Sequence, residues 1–173
     1  MPTPIDLSAR KFALGTIDWS VNLYAKTFHL HPVEKDCEEI REFIEDITGD
    51  QNVNYVSIPD NAIKIVPEEE LIDIFDAQKK WLADKPYIKE YWDCDDYAYL
   101  TRATFPWWHK INCGGIVHGM VNIGHFWNGV PCIHNNELLL YYYDGMRGYY
   151  KKHIKNTPII INGWHYKPDS YRF

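Results

Sequence analysis

With 173 residues, 46% of them hydrophobic and 24% charged, the chain has the balance of a globular protein with one sizeable core, which excludes a disordered chain and two ordinary domains. A net charge of −6 supplies no basic field to attract phosphates, so nucleic acid is not an expected partner. Seven Trp and 13 Tyr mean that the core, and any binding cleft, is built largely on rings.

Residues 1–33 read as an N-terminal arm on a single domain covering 1–173. Met1-Pro2-Thr3-Pro4-Ile5-Asp6 lacks the charged and apolar regions of a secretion signal, and no uncharged run approaches membrane-spanning length, so no membrane partner is expected. Ile17 to Tyr24 alternates in a way that fits a strand or an irregular arm. From Glu34 to Ile47, apolar Cys37, Ile40, Ile44 and Ile47 recur at three and four residues between acids, the pattern of an amphipathic helix stopped at Gly49. Val53 to Val66 is rich in β-branched residues around Pro59-Asp60-Asn61, which predicts two short extended pieces and a turn. Pro67-Glu68-Glu69-Glu70 opens a second helix with Leu71, Ile74, Phe75, Trp81 and Leu82 inward, ending at Lys85-Pro86-Tyr87.

A third helix begins near Cys94, buries Tyr97, Ala98, Leu100, Thr101 and Thr104 or Phe105, and is expected to stop at Pro106. Ile116 to Ile123, Trp127 to Ile133 and Leu138 to Tyr143 read as extended segments, and Pro158 to Trp164 contributes a further β-rich piece. Helices first and a mostly antiparallel sheet afterwards is α+β order.

Trp92-Asp93-Cys94-Asp95-Asp96-Tyr97-Ala98 is the stretch with chemistry in it. A thiol in the first turn of a helix faces unpaired N–H groups and the positive dipole end, both of which favour the nucleophilic thiolate. Cys37, Cys113 and Cys132 have no such setting, and the absence of any C-x-x-C pair argues against zinc-knuckle or thioredoxin-type use. Each piece also has a plain alternative. A buried cysteine is a small hydrophobe; Asp93 is a helix cap; Asp144 before Gly145 is an ordinary turn residue.

Asp-Cys-Asp-Asp-Tyr-Ala, followed by Gly115-Ile116-Val117, a histidine and an acid at a strand end, resembles the papain/transglutaminase-like cysteine peptidase superfamily. The most similar patterns are those of bacterial transglutaminase-like proteinases and of the C-terminal peptidase domain of the Marasmius agglutinin with its phage and bacterial relatives. The matching stretches are Trp92 to Ala98, His125-Phe126-Trp127-Asn128 and Tyr143-Asp144-Gly145, with Gly145-Met146 where that pattern has Pro-Gln. The resemblance implies a catalytic-Cys helix packed on an antiparallel sheet, Cys94 as nucleophile, His125 as general base and Asp144 orienting the imidazole. His109, His118 and His134 are rivals for the base. It further implies a thiol-dependent hydrolase acting on a peptide or protein, with transglutaminase-type acyl transfer or a catalytically inactive binding module as alternatives; with no secretion signal and no cysteine pair motif, the expected setting is cytoplasmic or virion-associated. Calcium dependence is implied too, with Asp95 and Asp96 as ligands among others that the sequence does not name.

Overall fold

The protein is described from a computed structural model over residues 29–49, 55–83, 85 and 93–173. Expectations placed on residues 1–28, Val53, Pro86-Tyr87 and Trp92 lie outside these residues.

Strand β1 (Val33–Asp36) leads directly into helix α1 (Cys37–Thr48). The helix starts three residues later than its periodicity predicts, because Asp36 is extended and its carboxylate accepts the Glu38 N–H at 2.8 Å. Glu34 and Lys35 are thereby left to pair with strand β3 (Ala62–Ile65), antiparallel, with Val33 opposite Ile65. Ile40 and Ile44 of α1 are fully buried, and each stabilises the fold by about 1.5–3 kcal/mol. Strand β2 (Tyr55–Ser57) precedes β3 in the chain. Helix α2 (Glu68–Leu82) follows Pro67, with acids at its positive end and Lys79 and Lys80 at the other. It buries Leu71, Ile74, Phe75 and Leu82, and Phe75 stacks on Tyr143 with ring centres 4.8 Å apart.

Helix α3 (Cys94–Thr104) buries Tyr97, Ala98, Thr101 and Thr104, while Leu100 is only half-buried. Pro106 does not stop the chain from coiling. It sits early in a π-helical turn, Phe105–His109, where its missing N–H breaks no bond, and the turn ends at Lys110 with φ 59°.

The remaining strands are β4 (Gly115–Val121), β5 (Ile123–His134), β6 (Glu137–Asp144), β7 (Tyr149–Lys152), β8 (Ile159–Ile161) and β9 (Trp164–Arg172). They form one seven-stranded sheet in the order β2-β9-β4-β5-β6-β7, with β8 paired to the first half of β9. Every pairing in it is antiparallel except β2 with β9. Asn135-Asn136 and Asn162-Gly163, all at positive φ, make the tight turns β5–β6 and β8–β9. Helix α3 is fastened to the sheet by Asn128, whose buried amide donates to the carbonyls of Ala98 and Gly115 at 2.9 and 3.1 Å. Gln78 of α2 donates to Thr104 of α3 at 2.5 Å, so both helices share one core with β5 and β6.

The α+β, papain/transglutaminase-like class expected from the sequence is corrected here. Nine strands against three α-helices make the described residues predominantly β, and two of the longest strands, β5 and β9, run well past the segments that announce them. β5 alone extends over 12 residues, because His125, Gly124 and Ile123 continue the pairing with β4 beyond the apolar run at Trp127.

At Gly119, β4 passes so close to β9 that an added Cβ would lie 2.1 Å from the Lys167 carbonyl oxygen and 2.8 Å from Pro168 Cα. Both obstacles are backbone, so a side chain there must part the strands. Gly119→Ala is expected to lower stability by about 1–3 kcal/mol or more in urea unfolding, and a cost below about 0.5 kcal/mol would contradict that packing.

Candidate functional site

Cys94 occupies the first position of α3, immediately after the Asp93 cap. The side chain of Asp93 accepts the N–H of Asp96, and that of Asp96 accepts the N–H of Asp93 at 3.2 Å, a reciprocal box that fixes where the helix starts. The carboxylates of Asp93, Asp95 and Asp96 share this turn with the thiol, and a cation faces it from the sheet.

The cation is His125, on β5, 3% exposed. Its Nε2 lies 2.8 Å from Asp144 Oδ2, the last residue of β6, itself 1% exposed. Burial works against protonation of His125. The hydrogen bond to Asp144, a hydrogen bond with the Cys94 side chain and the charges of both partners overcome that effect and raise the imidazole to about 9. For Asp144, burial pulls upward, but the His125 hydrogen bond and charge, the Tyr166 hydroxyl and Arg147 together hold its carboxyl below the usual range. The ring, charged at neutral pH, donates Nε2–H to the carboxylate and also interacts with the Cys94 side chain. The structure thus brings Cys94, His125 and Asp144 together from three separate elements.

The rival histidines are elsewhere. His118 and His134 are about half exposed and pair with Asp169 and Glu68, at 3.9 and 3.0 Å. His109 is buried in the π-helical turn, and that burial lowers it to about 4. The other three cysteines are also distant in character. Burial pushes Cys113 well above its ordinary range and Cys132 up to about 12, and Cys37 sits half-buried on α1; all four are free thiols.

Two participants are absent from the sequence reading. Arg147 Nη1 lies 2.8 Å from Asp144 Oδ2 and Tyr166 donates its hydroxyl to the same oxygen at 2.6 Å. The spacing Asp144-x-x-Arg147 across a turn is a signal that could have exposed the first. Nothing local marks Tyr166, which arrives from β9 only through sheet pairing.

For the expected metal, the structure separates the two proposed ligands. Asp96 is committed to the capping box, and among the described residues the group with mutually close ligand atoms is Asp93, Cys94 and Asp95. A hydrogen bond shared with Asp93, then burial, raises the Asp95 carboxyl. Calcium takes six to eight oxygens, and two carboxylates with a soft thiol do not fit it.

A cleft of about 410 Å³ opens further along α3, bordered by Tyr99, Arg102, Asp60, Asn112 and Phe173. Its lining contains none of Cys94, His125 and Asp144.

The His125–Asp144 pair sets a pH window for stability. Asp144, depressed on folding, contributes above its unfolded value near 3.9 and loses that contribution as pH falls. His125, elevated on folding, contributes fully below about 6.5 and loses it as pH rises through about 9. Urea midpoints of the wild type are therefore expected to form a plateau between roughly pH 4 and 6.5 and to decline toward pH 9, with the decline absent in His125→Gln.

No family model matches the chain, and no curated protein matches it. Among solved structures it is similar to a Polyporus squamosus lectin, determined bound to the human-type influenza-binding epitope Neu5Aca2-6Galb1-4GlcNAc, with a TM-score of 0.55 and 15% identity. The likeness covers 81% of this chain and 49% of the lectin, so the chain spans about half the length of that protein. At this identity the shared property is the fold. The finding corrects four expectations drawn from the sequence: the papain/transglutaminase-like peptidase resemblance and fold, the thiol-hydrolase activity, its acyl-transfer variant, and the peptide or protein substrate. The similar structure is that of a lectin, and the block of motifs around Cys94 is too short to outweigh a likeness over most of the chain.

Proposed function

We propose that the chain is a ligand-binding module and that carbohydrate is its ligand class. The observation that carries this reading is the likeness of fold to a lectin over 81% of the chain. The cleft beside α3 supports it chemically. Tyr99, 51% exposed, offers a ring to the apolar C–H side of a sugar, while Arg102 supplies donors and Asp60, held by the Asn112 amide at 2.8 Å, supplies acceptors for hydroxyl groups. The test is a glycan array probed with the whole chain, followed by titration of any glycan retained. Binding that weakens about tenfold in Tyr99→Ala, equivalent to about 1.4 kcal/mol, is the expected result; a blank array, or binding untouched by that change, contradicts the reading.

A second reading concerns Cys94, His125 and Asp144 and is favoured by the 2.8 Å contact of a buried imidazole with a buried carboxylate. Cys94 is the reactive thiol, His125 takes its proton and Asp144 holds the ring. The geometry supports nucleophilicity toward an electrophile, and alkylation of Cys94 tests it. A reducing setting, cytoplasmic or virion-associated, accords with both readings, since all four cysteines are free. Among the described residues no helix is long and apolar enough to cross a membrane.

A further inference from the structure

Asp144 Oδ2 receives three donors at once: His125 Nε2 at 2.8 Å, Arg147 Nη1 at 2.8 Å and the Tyr166 hydroxyl at 2.6 Å. The same Arg147 nitrogen is 3.1 Å from Tyr166 Oη and 3.1 Å from His125 Nε2. That last approach is between two N–H donors when the ring is protonated at Nε2, so it repels, and only the carboxylate oxygen that both share makes it tolerable. Arg147 is held there from behind. Its guanidinium carbon lies 4.7 Å from the centre of the Trp164 ring, at the start of β9, and its backbone N–H bonds Asp144 at both the carbonyl oxygen (3.2 Å) and Oδ1 (3.2 Å).

We propose that Arg147 is a positioning residue for the His125–Asp144 pair: it locks the Asp144 carboxylate in the orientation that takes the Nε2 proton and, as a cation beside the ring, restrains the imidazole from becoming too strong a base. The proposal rests on the reading of Cys94, His125 and Asp144 as one centre, because a base that never releases its proton serves no thiol. The groups facing His125 are Asp144 from β6, Arg147 from the turn after it, Tyr166 from β9 and Cys94 from α3. Asp144 and the Cys94 thiolate favour the imidazolium, and Arg147 alone among them opposes it. Trp164, 40% exposed, and the partly exposed Arg147 form the rim of the site, where either can be altered without opening the core.

The experiment follows the His125 imidazole by NMR titration in the whole chain, for wild type, Arg147→Met and Arg147→Lys. Arg147→Met is expected to raise the His125 midpoint by roughly one pH unit, and Arg147→Lys, which keeps the charge, to return most of that shift. A midpoint unchanged or lowered in Arg147→Met overturns the proposal, as does a lysine variant that behaves like methionine. Should both variants unfold, the wild type decides: nuclear Overhauser contacts from the His125 Nε2 proton to Arg147 and Tyr166 are expected, and their absence at a folded, protonated ring overturns the clamp. These readouts do not require the thiol to react. Failure of the centre itself would appear instead as wild-type Cys94 alkylation that ignores His125→Ala.

Discussion

Asp144→Ala is expected to be among the most damaging single changes in the protein, costing about 3–5 kcal/mol in urea unfolding near neutral pH. The carboxylate is 1% exposed and receives His125, Arg147 and Tyr166, so removing it strands an imidazolium and leaves a guanidinium and a buried hydroxyl without their common acceptor. The histidine then responds to burial, which opposes its protonation, and its midpoint should fall from about 9 to below the ordinary 6.5. Asp144→Asn keeps the shape and two hydrogen-bonding atoms but removes the charge, so it should lower the midpoint with a smaller loss of stability. Calorimetry and histidine NMR on the two variants check both halves. If Asp144→Ala costs less than about 1 kcal/mol, the buried pair contributes little to the fold.

Trp127→Ala is the second large loss, about 3–5 kcal/mol. The ring is fully buried on β5, packs against the face of His125 at 5.9 Å and meets Tyr166 edge-on at 5.1 Å. One substitution therefore empties the centre of the core and removes the wall behind both histidine and tyrosine. The indole N–H has no hydrogen-bond partner among the described residues, so Trp127→Phe sacrifices no polar contact there and should cost only about 1–2 kcal/mol. A denaturation series on the two variants separates ring volume from hydrogen bonding, and equal losses would contradict the assignment to packing.

How much of this was legible in the chain depends on whether the signal was local. Helix α2 could be read residue by residue, because Pro67, the three acids and the apolar spacing of Leu71, Ile74 and Phe75 all lie within its own sequence. So could the start of α3, where Asp93 and Asp96 sit at capping-box spacing around Cys94. The entry to α1 was harder, since Asp36 caps the helix while Val33–Asp36 is claimed by pairing with β3, a partner nearly thirty residues onward. The π-helical turn was illegible for a related reason. Pro106 carries a strong stop signal, and only the packing of Phe105, Trp108 and His109 into the core overrides it. In the centre itself, Cys94 stood out by its helix terminus, and His125 and Asp144 by a resemblance whose peptidase implication the likeness of fold to a lectin does not support. Arg147 was within reach, three residues after Asp144 in the chain, whereas Tyr166 was missed because it reaches Asp144 from β9, a strand separated from β6 in the sheet by β4 and β5. Asn162-Gly163 was a hairpin signal in plain view inside a stretch read only as β-rich.

The claim that Cys94, His125 and Asp144 act as one unit is tested most directly by site-resolved alkylation. The whole chain is treated with iodoacetamide at neutral pH, and the rate at each cysteine is read by mass spectrometry, for wild type and His125→Ala. Cys113 and Cys132, buried and with their thiols held protonated, should remain unlabelled in the folded protein. Cys94 should react roughly tenfold faster than the half-buried Cys37, and His125→Ala should erase that difference while leaving Cys37 unchanged. Equal rates at Cys94 and Cys37 in the wild type, or a fast Cys94 indifferent to loss of His125, would contradict the account.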